Sequence, residues 1–397
     1  MTRPLKLGVA GLGRAFMLML PTLAHHPRIA LTACADPRAE ARARFATDFA
    51  ARTHWSFDAL CDDPDVEAIY LATPHQHHAA QAIRAAEAGK AVLVEKPMAV
   101  TLAEAEAMAE AHARAGTHLM IGHSHGQNGP VRHARRLIAA GEVGAPRFIT
   151  ALNCTDFLWR PRRKEELDTV QGGGVVFSQA AHQLDIVRVL CGGMLRSIRA
   201  TTMQGRGTEG AYTAFLAFDG GAATATYSGF GRYDSDLLLD GIGEMGTRKP
   251  PATPGAARAR LLGTNDEDAA KRARTYGGAG HVPGLPPAEA PAFHNQFGFV
   301  LVQCDRADLR LTAEGVEVHG DDGLALRRTP LPALPRAEVL DEFAAAVLEG
   351  IAPRHDGAWG LATLEACLAL LSSARRGTEV ALRHQVRFRD EWACLPR

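Results

Sequence analysis

Over its first 125 residues the chain alternates short, mostly apolar runs with longer stretches of helical patterning. The runs at 5–10, 29–35, 68–72, 91–94 and 119–121 have strand length. Between them, 15–23, 38–51, 79–88 and 101–115 are predicted as helices. Gly89 stands where a left-handed C-cap is expected, and Thr101-Leu102-Ala103-Glu104 has the spacing of a capping box. Regular alternation of this kind implies a doubly wound parallel sheet, whose ligands lie at the carboxyl ends of the strands. Thr73, Glu95, Lys96 and His123 all stand at such ends.

Beyond about Gly126 the pattern changes. After a helix at 130–140, strands at 147–152, 197–203, 211–218 and 222–228 follow with short turns, which predicts a largely antiparallel sheet. Residues 247–291 are rich in Pro, Gly and Ala and form an irregular insertion, and helices at 338–349 and 361–375 close the chain. The expected architecture is α/β: an N-terminal Rossmann domain over 1–126, then a C-terminal α+β domain over 127–397 with an open, largely antiparallel sheet.

Chemistry enters at the first strand-to-helix turn. Gly11-Leu12-Gly13 would let the backbone approach a pyrophosphate, with free N–H groups and a positive dipole end offered at the helix beginning near Arg14. Asp36 follows at the spacing of the acid that accepts from an adenosine ribose, which favours NAD. Arg38 is close enough to neutralise a 2'-phosphate. The third small residue of the usual glycine pattern falls on Phe16, so the first helix must sit differently or start off-axis.

At 397 residues the chain suits two domains, and its 46% apolar content supports real cores. The balance of 44 basic against 44 acidic residues argues against nucleic acid or a membrane surface as a partner held by bulk charge. No apolar run reaches the roughly 18 residues of a span, and the N-terminus leads straight into a strand, so a cytoplasmic protein is expected. Seven dispersed cysteines, Cys34, Cys61, Cys154, Cys191, Cys304, Cys367 and Cys394, predict reduced, mostly buried thiols.

Gly11-Leu12-Gly13, Ala72-Thr73-Pro74 with His78, Gly89-Lys90, Glu95-Lys96-Pro97, and Gly172-Gly173-Gly174 followed by His182 and Asp185 together resemble the Gfo/Idh/MocA oxidoreductase family along nearly the whole chain. The resemblance implies a Rossmann domain, a second domain with an open mixed sheet, NAD or NADP, and a homodimer or homotetramer formed through that sheet. It assigns cofactor contacts to Gly11, Leu12, Gly13, Arg14, Asp36, Arg38, Thr73, Pro74, His75, His78, Glu95 and Lys96. It also puts the catalytic histidine at His182, and usually an aspartate at the position of Ser178, which is absent here. The stretch 172–185, Arg160-Pro161-Arg162-Arg163 and Asp356-Gly357-Ala358-Trp359-Gly360 are similar to bacterial cis-dihydrodiol dehydrogenases of phthalate and chlorobenzoate breakdown.

Lys96 and His182 are therefore the expected catalytic pair. A lysine at such a strand end lies beside the nicotinamide, whose cationic ring would lower its pKa; the bland alternatives are a snorkelling surface lysine and a structural histidine. Ser178, four residues before His182, would share a helix face with it. The histidines at 75, 77, 78, 123 and 125 lack the ligand spacing of a strong metal site, so no metal is expected. Phe157, Trp159, Arg160 and Arg162 combine aromatic faces with guanidinium groups and suit a flat ring bearing carboxylate, unless the run is merely a solvated face. If extended, the segment puts Arg160 and Arg162 on one side and Arg163 on the other. His123, Asn153 and Asp185 complete the expected substrate contacts. The leading expectation is NAD-dependent oxidation of a carboxylated cis-dihydrodiol to a catechol. A polyol dehydrogenase and a non-catalytic NAD-binding regulator are the alternatives.

Overall fold

A computed structural model describes residues 3–250, 253–282 and 284–390. The first sheet is built from β1 (Leu5–Ala10), β2 (Ile29–Ala35), β3 (Arg52–His54), β4 (Ala68–Leu71), β5 (Ala91–Val94) and β6 (Leu119–Ile121), all parallel, in the order β3-β2-β1-β4-β5-β6. Helices α1 (Arg14–Leu23), α2 (Ala39–Phe49), α3 (Phe57–Cys61), α4 (His78–Glu87) and α5 (Leu102–Ala115) make the connections. The capping box at Thr101 and Glu104 forms as expected, and Gly89 has φ +70° after α4. The order reverses between β1 and β4, which opens a crevice at their carboxyl ends.

After α6 (Gly129–Ala139) comes β7 (Pro146–Cys154), then α7 (Ala181–Cys191), β8 (Leu195–Gly205), β9 (Thr208–Phe218) and β10 (Gly221–Ser228). The insertion carries two short helices, α8 (Ala256–Leu262) and α9 (Glu267–Arg272). A meander follows: β11 (Phe299–Cys304), β12 (Ala307–Thr312), β13 (Gly315–Gly320) and β14 (Gly323–Arg328). Helices α10 (Ala337–Glu349) and α11 (Gly357–Arg376) and the short β15 (Val380–Ala381) end the described fold. The nine strands run β14-β13-β12-β11-β7-β10-β9-β8-β15, antiparallel except for the β7/β10 pair.

The two halves share cores. One apolar cluster joins Ile69, Val92 and Ile121 of the first sheet to Leu184 of α7, Leu370 of α11 and Leu216 of the second sheet. The other face of the first sheet packs Leu5 and Leu7 against Phe16 of α1, Phe343 of α10 and Tyr276 of the insertion. Helix α11 is long and apolar enough to span a membrane by composition, contrary to the expectation that no run is. Its most apolar window is 72% buried here, which is how a central core helix reads. Cys34, Cys61 and Cys367 are buried free thiols, and Cys154, Cys191 and Cys304 are partly exposed; Cys394 lies outside the described residues.

Candidate active site

Lys96 stands two residues past β5, and the first turn of α7 carries His182 toward it from the other half of the chain. Both line a cleft of about 470 Å³. The Lys96 ammonium donates to the carbonyl oxygen of Ser178 at 2.8 Å. Burial lowers its pKa, against the opposing pull of Glu95 and Glu244. The carbonyl reaches Lys96 because residues Val176–Ala180 form a π turn ahead of α7. Where the family resemblance expects an aspartate, a main-chain acceptor thus orients the lysine. Glu95, beside it, accepts from the Tyr70 hydroxyl at 2.5 Å.

His182 is 6% exposed, edge-on to His125 at 4.6 Å and 4.9 Å from the Phe297 ring centroid. Burial first, and then the charge of Lys96, push its pKa well below the ordinary value, so the ring is neutral at neutral pH. Its Nδ1 has no partner among the described residues. His125 accepts at Nδ1 from the Asn295 amide at 3.0 Å, which leaves its Nε2 facing Glu244, 3.8 Å away. A neutral imidazole with an unpartnered nitrogen thus stands beside a cation.

Of the other expected residues, Arg14, Thr73, His75, Glu95, Asn153, Phe157, Arg160, Arg162 and Ser178 also line the cleft. Three expected substrate contacts do not. His123, just after β6, and Asp185, on the fully packed α7, are both buried behind the wall. Asp185 accepts from the Trp359 indole at 2.6 Å and faces His355 at 3.7 Å; against burial, His123 and His355 hold its pKa down. Trp159 turns outward, donating to the Phe230 carbonyl at 3.4 Å with Arg258 stacked 4.2 Å from its ring.

The 3-10 turn Phe157–Trp159 ends at Arg160, where the backbone becomes extended, as it is at Arg163. Arg160 and Arg162 line the cleft, and Arg163, off it, pairs with Glu165 at 3.0 Å. Arg162 stacks 3.6 Å over the Phe157 ring and donates to the Phe157 carbonyl at 3.0 Å, and burial brings its pKa to about 10. Arg160 is engaged by Asp156 at 2.9 Å.

At the glycine turn, Gly11 has φ +87°, and a Cβ there would stand 2.8 Å from the Ala72 carbonyl oxygen. The α1 N-terminus has no side-chain cap, so its first N–H groups remain available to an anion. These features fit a dinucleotide pyrophosphate. Phe16 is fully buried, with its ring edge-on to Tyr276 at 5.2 Å and 6.1 Å from Phe45, so the insertion accommodates the bulk that a small residue normally avoids.

The ribose end differs from expectation. Asp36 is 5% exposed, and each of its oxygens already accepts two N–H donors, from Leu12, the Arg38 main chain and the Arg38 guanidinium, at 2.8–3.1 Å. Ribose hydroxyls reach this carboxylate only by replacing Arg38 bonds. Expected cofactor contact by His78 is likewise replaced by bracing: its two nitrogens stand 3.0 Å from the carbonyls of Thr73 and Pro97. That fixes the loops presenting Thr73 and Lys96. Pro74, at the same loop, does not line the cleft.

Local sequence gave no sign of Glu244, Gln179, Gln296, Phe297, Lys271, Arg274 or Arg336, all of which line the cleft. Arg336 has φ +58° before α10 and stands 3.8 Å from Glu244. In all, eight Lys or Arg against four Asp or Glu face the cleft, a local excess of positive charge within a chain of zero net charge.

Behind the site, His355 sits between Asp185 at 3.7 Å and Glu342 at 3.8 Å. Against burial, these two carboxylates raise its pKa to about 9. A group whose folded pKa lies above its unfolded value stabilises fully below the unfolded pKa, near 6.5, and loses that contribution as pH rises through about 9. Thermal stability is therefore expected to fall over that window by up to about 3 kcal/mol, and His355→Gln should flatten the profile. An unchanged profile in the variant would remove this assignment.

Comparison with known proteins agrees with the geometry. Residues 5–123 match the oxidoreductase family with NAD-binding Rossmann fold, and 131–247 match the GFO/IDH/MocA C-terminal domain. The chain is 42% identical, over 94% of its length and 95% of the relative's, to 1-carboxy-3-chloro-3,4-dihydroxycyclohexa-1,5-diene dehydrogenase of Comamonas testosteroni. A crystal structure described as a dehydrogenase from Bordetella bronchiseptica RB50 superposes with a TM-score of 0.89 at 35% identity, covering 95% of this chain and all of that one. The aldose-aldose oxidoreductase of Caulobacter crescentus, at 22% identity, TM-score 0.70 and coverage of 96% and 100%, shares the fold. With both domains matched in order and Lys96 and His182 converging between them, the chain belongs to the GFO/IDH/MocA oxidoreductase family and is a nicotinamide-cofactor-dependent dehydrogenase.

Proposed function

We propose that the enzyme oxidises a carboxylated cis-dihydrodiol of a cyclohexadiene to the corresponding catechol, with NAD+ as acceptor. The observation that carries this reading is the pairing, in one cleft, of Lys96 and His182 with the Phe157-stacked guanidinium of Arg162. The acid-base pair serves any alcohol, whereas the stacked guanidinium suits a ring carboxylate. The substrate named for the Comamonas relative has both features.

When bound, the nicotinamide accepts a hydride from the carbon bearing the reacting hydroxyl. Neutral His182 takes the hydroxyl proton, and the Lys96 ammonium, oriented by the Ser178 carbonyl, stabilises negative charge developing on that oxygen. Loss of one hydride and one proton leaves a ring ketone beside the second hydroxyl. The ring carbon bearing that hydroxyl then loses its hydrogen as a proton while the ketone oxygen gains one, and aromatisation drives the sequence forward. Assaying NADH formation from carboxylated cis-dihydrodiols and from neutral polyols tests the reading. A higher kcat/KM on a polyol would overturn it.

NAD+ is expected to be preferred over NADP+ by about tenfold or more in kcat/KM. All five Arg38 N–H donors are committed, and three of them bind Thr275, Tyr276 and Leu12 rather than Asp36. A ribose that displaces the Asp36 bonds therefore leaves Arg38 pinned, and a 2'-phosphate meets the Asp36 carboxylate. A preference for NADP+ would refute this account. We also assign a cytoplasmic location and a homo-oligomer formed through the open sheet, on which Phe215 and Met203 are each 48% exposed. Sedimentation analysis tests the oligomer; a monomer would refute it.

A further inference from the structure

The insertion does more than fill space beside α1. Its segment following α9 is seated directly on the glycine turn: the Tyr276 N–H donates to the Leu12 carbonyl at 3.2 Å, and the Tyr276 hydroxyl donates to Asp48 of α2 at 2.6 Å. Arg38 donates to the Thr275 hydroxyl at 2.5 Å and to the Tyr276 carbonyl at 3.2 Å. The Tyr276 ring is fully buried against Phe16, so the segment is held by packing as well as by hydrogen bonds.

Two residues before this anchor, Arg274 faces the same cleft as Arg14, the first residue of α1. Neither guanidinium has a hydrogen-bond or ion-pair partner among the described residues, although other cleft cations are matched. Lys271 pairs with Glu166, Lys249 with Asp234 and Asp236, and Arg160 with Asp156. The cleft carboxylate acting on Arg14, Glu244, is shared with His125 and Arg336, each at 3.8 Å. Arg14 and Arg274 are both exposed, and Arg274 acts to lower the Arg14 pKa, so two solvent-facing like charges beside an uncapped helix N-terminus favour an anion between them.

We propose that Arg274, carried by the insertion, is a ligand of the cofactor's pyrophosphate, closing on it from the side opposite the glycine turn together with Arg14. This rests on the dinucleotide occupying the Gly11 turn, as the family and the uncapped helix support. It makes the insertion part of the cofactor site, and it gives the Tyr276 anchor a purpose, since that contact fixes where Arg274 stands.

The test is titration of the full chain with NAD+, ADP and adenosine, in wild type, Arg274→Ala, Arg274→Lys and Tyr276→Ala, with melting curves confirming folding. Wild type binding of ADP checks the underlying cofactor reading; if neither ADP nor NAD+ binds, that reading fails by itself. With binding established, Arg274→Ala is expected to weaken NAD+ and ADP alike by about tenfold or more while adenosine changes less than about twofold. Arg274→Lys should recover part of the loss, and Tyr276→Ala should weaken ADP in the same direction. The substrate KM at saturating NAD+ should stay within about twofold in Arg274→Ala. NAD+ affinity unchanged in Arg274→Ala, an equal loss on adenosine, or a loss confined to substrate KM would each overturn the proposal.

Discussion

Lys96→Met is expected to lower kcat by about 100-fold or more while leaving NAD+ affinity within about twofold. Methionine fills most of the volume, and the main structural cost is the Ser178 carbonyl losing its donor, about 1–3 kcal/mol. The lost kcat reflects an interaction that strengthens as the substrate oxygen gains charge, which a thioether cannot provide. A second signature separates this role from a structural one. Lys96 is among the charges that hold the His182 pKa down, so removing it raises that pKa. His182 must be neutral to accept a proton, and the acid limb of the residual activity should therefore move to higher pH. A kcat within about threefold of wild type would show that the proton path lies elsewhere.

Arg162→Ala is expected to lower kcat/KM for a carboxylated dihydrodiol by roughly 10- to 150-fold, the equivalent of 1.5 to 3 kcal/mol for a hydrogen bond to a charged group. Arg162 keeps its charge even at a pKa near 10, and stacking on Phe157 holds the guanidinium plane in place. Arg162→Lys should recover little, because an ammonium has neither the planar fork nor the stacking face. Arg160→Ala should cost less, since Asp156 already uses part of that guanidinium, and Arg163→Ala least, since it is outside the cleft. Neutral polyols should be nearly indifferent to all three. Equal losses on charged and neutral substrates would instead indicate a folding role, as the Arg162 guanidinium also donates to the Phe157 carbonyl at 3.0 Å.

Much of the N-terminal half was legible in the sequence because its signals are local. The strand-length runs became β1, β2, β4, β5 and β6, and Thr101 with Glu104 capped α5 as their spacing implied. The short β3 and α3 and the meander β11–β14 went unread. Their elements are short, and β14 is exposed throughout, so hydrophobic periodicity had little to report. The π turn before α7 was equally silent, since an extra residue in a helical turn has no compositional mark.

For the site, the sequence by itself determined which groups stand at strand ends and turns: Lys96 after β5, the glycines before α1, Asp36 after β2. Those positions follow from chain periodicity. Tertiary structure alone decided which groups share one cleft and which partner each one meets. His182 is brought to Lys96 across 86 positions of chain, Asp185 turns to Trp359, and Asp36 is saturated by Arg38, which segment 275–276 holds in place. Packing made these choices, because a buried side chain takes the partner that the opposing element supplies, and that element is remote in sequence.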